Sequence, residues 1–314
     1  MSEQDRIVGT LLGMAAGDAL GAGYEFDDSP PRGEVAMIGG GLGDFAPGEW
    51  TDDTSMAVCI AEETATGTVD LDAIGDRFLD WQRSDPADIG ISTGHVLRQA
   101  SSGRDLPSVA AAYFASHPEG AAGNGALMRT APVALAHLDD DAAIAGAARA
   151  VAELTHADPL AGDSCVLWCI AIDRAIRQER LDGVRDGVAY LPELRRPFWS
   201  DALTQAEQRS PRSFTPNGFT VTALQAAYAA ILQTPMPDGD PARHLQDVLI
   251  EAVRIGNDTD TVAAIAGMVL GARWGAAAVP PTWRDMLHGW PGLRATDLKR
   301  LAILTADAGG ASGN

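Results

Sequence analysis

Lysine is almost missing from this 314-residue chain: Lys299 is the only one, and all basic residues together number 23 against 43 acidic, a formal charge of −20. A surface of that sign repels phosphate backbones and anionic lipid, which excludes nucleic-acid or membrane binding through a basic patch. A phosphorylated small molecule remains admissible where cations or helix N-termini offset the repulsion. Cysteine is scarce too. Cys59, Cys165 and Cys169 fall on apolar helical stretches, and an odd count of this kind reads as reduced core thiols in a cytoplasmic protein. Long hydrophobic runs are lacking: Thr261 to Ala272 is interrupted by glycines and falls short of the ~20 residues that span a bilayer. The stretch Met1 to Gly9 is acidic, with no basic flank, so no signal peptide is expected.

What is abundant is alanine and aliphatic side chains. A hydrophobic share of 46% with only 6% aromatics favours helices packed closely through small residues. Ile7, Leu11, Met14 and Leu20 recur at helical spacing with small residues between them, predicting a tightly packed first helix over Ile7 to Leu20. Helical patterns follow at about Ser55 to Thr66, Asp70 to Ser84, Leu106 to Ser116, Ala126 to His137, Asp141 to Thr155, Leu160 to Gln178, Phe219 to Leu232, Arg243 to Ile255 and Thr261 to Trp274. Strand-like alternation is rare. The expected fold class is therefore all-α, a single compact multi-helical domain over residues 1–305. Ser29 to Gly48 reads as a functional loop, Gly183 to Pro216 as an irregular surface excursion, and the small, polar stretch 306–314 as a disordered tail. Nothing in the sequence addresses the oligomeric state.

Two segments far apart share one local design. Thr51-Asp52-Asp53-Thr54 precedes the apolar run Ser55 to Thr66, and Asp258-Thr259-Asp260-Thr261 precedes Val262 to Trp274. Each has a plain explanation as a helix cap, since Asp and Thr oxygens accept from orphan amides and carboxylates complement the dipole. A cap needs one acidic oxygen, however, and each segment supplies two carboxylates flanked by hydroxyls. Brought together, four carboxylates stay ionised only with cations between them. Oxygen-only donors suit hard ions, Mg²⁺ or Mn²⁺ before Ca²⁺, and no histidine pair has a zinc-ligand spacing. Glu25, following the Gly-rich Gly17-Asp18-Ala19-Leu20-Gly21-Ala22-Gly23, is a third candidate, alternatively a solvated loop carboxylate. Asp18 reads as structural, bonding backbone amides.

Taken in order, Gly17-Asp18-Ala19-Leu20-Gly21 with Glu25, Trp50-Thr51-Asp52-Asp53-Thr54, Gly123-Asn124-Gly125-Ala126-Leu127-Met128-Arg129, Thr155-His156 and Gly256-Asn257-Asp258-Thr259-Asp260-Thr261 resemble the motifs of the ADP-ribosylglycohydrolase family, over residues 6 to about 275. The resemblance implies a compact all-α fold with two Mg²⁺ or Mn²⁺ ions, ligated by Thr51, Asp52, Asp53, Asp258, Asp260 and Thr261. It also implies cleavage of a glycosidic bond at ribose C1″ of an ADP-ribosylated protein or conjugate, with Glu25 as general base or ribose-orienting carboxylate. Gly123, Asn124, Gly125 and Ala126 would set amides against the pyrophosphate, or else simply start a helix. His156 matches a histidine near the distal ribose or phosphate. Phe219 stands where relatives often carry an adenine-stacking tyrosine. Asp88, in Asp88-Ile89-Gly90, resembles an aspartate of arginine-directed members, which favours ADP-ribosyl-arginine over a serine linkage, although Ile91 replaces a commonly polar neighbour.

Three other readings compete. Gly90-Ile91-Ser92-Thr93-Gly94 fits a serine-hydrolase nucleophile elbow, but that motif needs a preceding strand and Ser84 to Asp88 is a turn-forming run. Gly39 to Gly43 invites a nucleotide-loop reading yet lacks the Gly-Lys-Ser/Thr ending, so a lid or surface loop is preferred. A catalytically silent ADP-ribose binder, or a purely structural member, is the rival of a different class, and the retained Glu25 and acidic clusters argue against it.

Overall fold

The computed structural model describes residues 1–27 and 29–312. Its first half contains α1 (Glu3–Gly21), α2 (Asp52–Thr64), α3 (Leu71–Arg83), α4 (Ile91–Gln99), α5 (Leu106–Ser116), α6 (Ala131–Leu135) and α7 (Asp141–Glu153). The second half contains α8 (Pro159–Gln178), α9 (Arg196–Gln208), α10 (Thr220–Gln233), α11 (His244–Val253), α12 (Thr259–Trp274), α13 (Pro281–Met286) and α14 (Ala295–Ser312). A two-stranded hairpin, β1 (His288–Gly289) with β2 (Leu293–Arg294), is the only sheet among the described residues. The all-α expectation holds.

The axis of the fold is the crossing of α1 with α12, and glycine sets how near they come. A Cβ on Gly13 would lie 2.3 Å from the Gly267 carbonyl oxygen, one on Gly267 2.1 Å from the Gly13 carbonyl oxygen, and one on Gly271 1.8 Å from the Gly9 carbonyl oxygen. Backbone therefore packs on backbone with no side chain between, the geometry that small residues one helical turn apart permit. Glu3–Tyr24 is long and apolar enough to cross a membrane by composition, but 94% of its apolar 18-residue stretch is buried inside the fold, where Met14, Ala15, Ala16 and Leu20 join one continuous core. The register matters for chemistry: the end of α1 arrives beside the start of α12, with Gly21 against Thr259 and Asp260.

Several sequence expectations shift at prolines and small residues. Ala126 to His137 is not one helix: a 3-10 turn (Asn124–Ala126) gives way to the short α6, because Pro132 lacks an N–H and is tolerated only in a first turn. Gly183 to Pro216 contains α9, opened in the same way by Pro197 and burying Trp199, Ala202, Leu203 and Ala206 on one face. Ile91 starts α4, with no strand before it, which removes the nucleophile-elbow reading of Ser92. Residues 306–312, expected as part of a disordered tail, continue α14. Thr305 is buried and a Cβ on Gly309 would meet the Ala136 carbonyl oxygen at 2.1 Å, so small side chains here serve contact; residues 313–314 lie outside the described residues.

Candidate active site

The two acidic helix beginnings meet. Thr51 Oγ1 lies 3.3 Å from Asp53 Oδ2 and 3.4 Å from Asp260 Oδ2, and Thr261 Oγ1 lies 3.4 Å from the same Asp53 oxygen. Residues separated by two hundred positions thus share one cluster, as the paired design of the segments predicts.

Capping does not account for these carboxylates. The N-cap of α2, Thr51, and that of α12, Asp258, make no side-chain cap hydrogen bond. The amides at the start of α2 are satisfied from another helix: Asp18 accepts from Thr51 N at 2.9 Å, Thr54 N at 3.0 Å and Thr54 Oγ1 at 2.6 Å. Asp18 therefore does the capping that Asp52 and Asp53 would otherwise do, and its structural assignment holds. The carboxylate is fully buried and burial pushes it up to about 6 despite those donors. Before α12, Gly256 and Asn257 take left-handed conformations (φ 86° and 64°), turning the chain so that Asp258 faces inward. Asn217, which the sequence reading passes over, holds that turn: its Oδ1 accepts from Asp258 N at 3.0 Å and its Nδ2 donates to the Gly256 carbonyl at 3.1 Å. An Asn-Gly pair ahead of an apolar helix was the available signal, and it reads as an ordinary turn.

Glu25 is held over the same cluster by the bond from Phe26 N to the Asn257 carbonyl, 2.8 Å. Oxygens of Glu25, Asp258 and Asp260 all lie within 4.8 Å of one another. The position expected to act on water or ribose is thus also within reach of a shared ion. Burial first, then the charges of Asp258, Asp88 and Asp52, push Glu25 up to about 9. Burial and Asp88 push Asp52 up to about 8, and burial raises Asp53, Asp258 and Asp260 as well. Glu25 Oε2 and Asp53 Oδ1 are buried without a hydrogen-bond partner. Buried acceptors left unpaired beside raised carboxyls are the pattern expected of a cation site, and oxygen-only donors fit a hard divalent ion. The residues present fit the group.

A cavity of about 400 Å³ opens over this cluster. Glu25, Asp52, Asp88, Asp258, Asp260 and Thr261 line its floor, while Thr51 and Asp53 lie behind the wall. Gly90 sits at the edge and its N–H donates to Asp52 Oδ2 at 3.3 Å. Gly123, Asn124, Gly125 and His156 form the opposite wall, and Asn124 Nδ2 donates to Asp258 Oδ2 at 2.7 Å, tying the Gly-rich turn to the acidic centre. Ala126 is buried beneath it. Phe219 pairs its backbone with Gly123 but, 39% exposed, is not part of the wall; the aromatic side chains that line the cavity are Tyr113 and Phe26. Leu42, from the Gly-rich loop 39–43, reaches the mouth, with Phe26 and the 85%-exposed Ile91. A larger groove of about 620 Å³ elsewhere, beside Arg212 and Arg254, contains none of the candidate residues and no unpartnered buried carboxylate.

Comparison with known proteins follows the same lines. The ADP-ribosylglycohydrolase family matches residues 1–312. The chain is 30% identical to an ADP-ribosyl-[dinitrogen reductase] glycohydrolase of Rhodospirillum rubrum, covering 91% of each. It is 29% identical to the ADP-ribosylarginine hydrolase Tri1 of Pseudomonas putida (strain GB-1), covering 89% of this chain and 73% of the relative. With the human ADP-ribosylhydrolase ARH3 it shares 29%, over 91% and 90%. A solved structure titled ADP-ribosylglycohydrolase-related protein complex superposes with a TM-score of 0.77 at 29% identity, covering 98% and 99% of the two chains. With the match running almost end to end and a frame that brings the expected motifs into one cavity, this protein belongs to the ADP-ribosylglycohydrolase family of glycosyl-bond hydrolases.

Proposed function

We propose that the protein hydrolyses the glycosidic bond at ribose C1″ of ADP-ribosylated substrates, ADP-ribosyl-arginine on protein being favoured, and releases ADP-ribose with the help of two Mg²⁺ or Mn²⁺ ions. The supporting observation is the meeting of the α2 and α12 starts, where neither N-cap residue makes a side-chain cap bond, Asp260 alone of the four carboxylates accepts from a first-turn amide of its own helix (Thr261 N, 2.9 Å), and two buried oxygens, Glu25 Oε2 and Asp53 Oδ1, have no hydrogen-bond partner. Thr51, Asp52, Asp53, Asp258, Asp260 and Thr261, with Glu25 at their edge, would hold the ions. A divalent ion there supplies charge neutralisation and a template for ribose hydroxyls.

The chain's own groups then divide the work. Glu25 takes a proton at its free Oε2; because neighbouring negative charge contributes to its elevated value, neutralising those neighbours returns it toward the range of a general base. The carboxylates also face the positive charge that develops at an anomeric carbon as the bond opens. The Gly123 to Gly125 turn and His156 bind the phosphates, and Asn124 keeps the turn in register with Asp258. Asp88, half-buried in the cavity lining beside Asp52, pairs with a guanidinium leaving group. The buried free thiols of Cys59, Cys165 and Cys169 fit a reducing compartment, so the cytoplasm is the proposed location.

The test is release of free ADP-ribose from peptides modified on arginine or on serine, with Mg²⁺, with Mn²⁺ and after EDTA. Metal-dependent release from the arginine peptide is expected. Full activity in EDTA would remove the ions from the reading, preference for serine would remove the role of Asp88, and binding of ADP-ribose without turnover would make the protein a silent member.

A further inference from the structure

Arg129 is a fully buried charge that, among the described residues, no carboxylate answers. It is completely inaccessible, and among the described residues no acidic oxygen lies within ion-pair distance of it. Its guanidinium lies 4.4 Å over the Phe78 ring, Nη1 donates to Met56 Sδ at 3.4 Å, and Nε has no partner. Only Nη2 has a strong acceptor, Thr155 Oγ1 at 2.7 Å. Burying an arginine this way costs several kcal/mol, so its retention asks for a return.

The return leads to the cavity. Thr155 Oγ1 lies 2.8 Å from His156 Nδ1. The hydroxyl already accepts from Arg129, and its proton has no other acceptor among the described residues, so it donates to Nδ1. Burial, reinforced by Arg129, pushes His156 down to about 3, which leaves the ring neutral. A neutral ring that accepts at Nδ1 carries its proton on Nε2. That nitrogen faces the Gly-rich turn: a Cβ on Gly123 would lie 3.4 Å from it and one on Gly125 3.3 Å. Glycine at both positions leaves the nitrogen uncovered beside the cavity that His156 lines.

We propose that Arg129 is a positioning residue that acts through Thr155, locking His156 in the Nε2–H tautomer so that a neutral donor, backed by a buried positive charge, meets the phosphate oxygens of the ligand. This rests on reading the cavity as an ADP-ribose site. It also answers an electrostatic problem of that reading, since a phosphate must enter a cavity floored by Glu25, Asp52, Asp88, Asp258 and Asp260 in a chain of net charge −20. A permanent cation behind the wall, where no lysine is available, offsets part of that repulsion without crowding the site.

Nitrogen-15 NMR of histidine-labelled, ligand-free protein decides the tautomer, with the His156 signals assigned by His156→Gln. The wild type should show Nε2–H without titration between pH 6 and 8, and Thr155→Val should shift the ring toward Nδ1–H. By calorimetry Thr155→Val and Arg129→Met should each weaken ADP-ribose binding about tenfold, and in turnover raise KM more than they lower kcat, while Thr155→Ser restores both tautomer and affinity. An Nδ1–H tautomer in the wild type, or a Thr155→Val protein with unchanged tautomer and affinity, overturns the proposal. The Thr155 pair keeps it decidable if Arg129→Met does not fold. Failure of the wild type to bind ADP-ribose at all would overturn the functional reading instead, and the ligand-free spectra would still judge the relay.

Discussion

Raising the pH of the metal-free protein loads the acidic centre without changing a residue. Glu25 is pushed from 4.5 to about 9 and Asp52 from 3.8 to about 8. Between those values each group keeps its proton in the folded chain and has lost it in the unfolded chain. The stability this contributes is complete below about pH 4 and is lost as pH rises toward 8 or 9. Each group costs about 1.4 kcal/mol per pH unit. Protonation of one relieves repulsion on the other, so the pair is worth nearer one group than two, or roughly 2 kcal/mol between pH 6.5 and 8. With an unfolding entropy of about 2.1 cal/mol/K per residue, that lowers Tm by roughly 3 °C. Below pH 6.5 an effect of the opposite sign sets in: burial depresses His137, His156 and His244, and the stabilisation this gives is lost as pH falls. Scanning calorimetry in EDTA and in saturating Mg²⁺ at pH 6.5 and 8 measures the effect. The metal-free Tm should fall with pH while the Mg²⁺-loaded Tm stays nearly level, so the gap widens. A metal-free Tm that is flat or rising, or a gap of equal size at both pH values, would refute the reasoning.

Glu25→Gln keeps the size of the side chain and removes its capacity to take a proton; at saturating Mg²⁺ it should lower kcat by about 10²- to 10⁴-fold while ADP-ribose affinity changes only a few-fold. A parallel loss of affinity would make Glu25 a binding group. Gly267→Val places a Cβ that would lie 2.1 Å from the Gly13 carbonyl, so α1 and α12 must separate, at a cost of about 3 kcal/mol and roughly 5 °C in Tm, with activity lost because Asp258 and Asp260 ride on α12. Gly146→Ala, where a Cβ meets nothing within 4 Å, should leave both melting and turnover intact or slightly improve stability; equal behaviour of the two variants would contradict the close crossing.

Much of the site was legible because its signals are local. Two carboxylates with flanking hydroxyls ahead of an apolar run can be read within a few residues, and Glu25 follows a run of glycines that admits close approach. The elements that escaped reading are those whose local chemistry points the wrong way. Pro197 looks like a breaker and instead opens α9, Pro132 shortens a helix that its apolar neighbours would extend, and the glycines of α14 look like a tail until Gly309 is seen against Ala136. Asn217 reads as an ordinary Asn-Gly turn and Thr155 as the neighbour of His156; what each does shows only with its partner in space, Asp258 for Asn217 and Arg129 for Thr155.

By itself the sequence determined the helical class, the acidic character and the identity of the candidate ligands, because periodicity, composition and spacing are properties of neighbouring residues. It left the role of those ligands divided between capping and ion binding. Only the tertiary structure decided that: Asp18, brought from α1 by a crossing of bare backbones, satisfies the amides of α2, and the carboxylates of α2 and α12 are left facing one another with Asp53 Oδ1 and the neighbouring Glu25 Oε2 buried without a donor. The reason is that hydrogen-bond satisfaction is an account kept over space, and a chain read in order cannot show which distant donor has already been used.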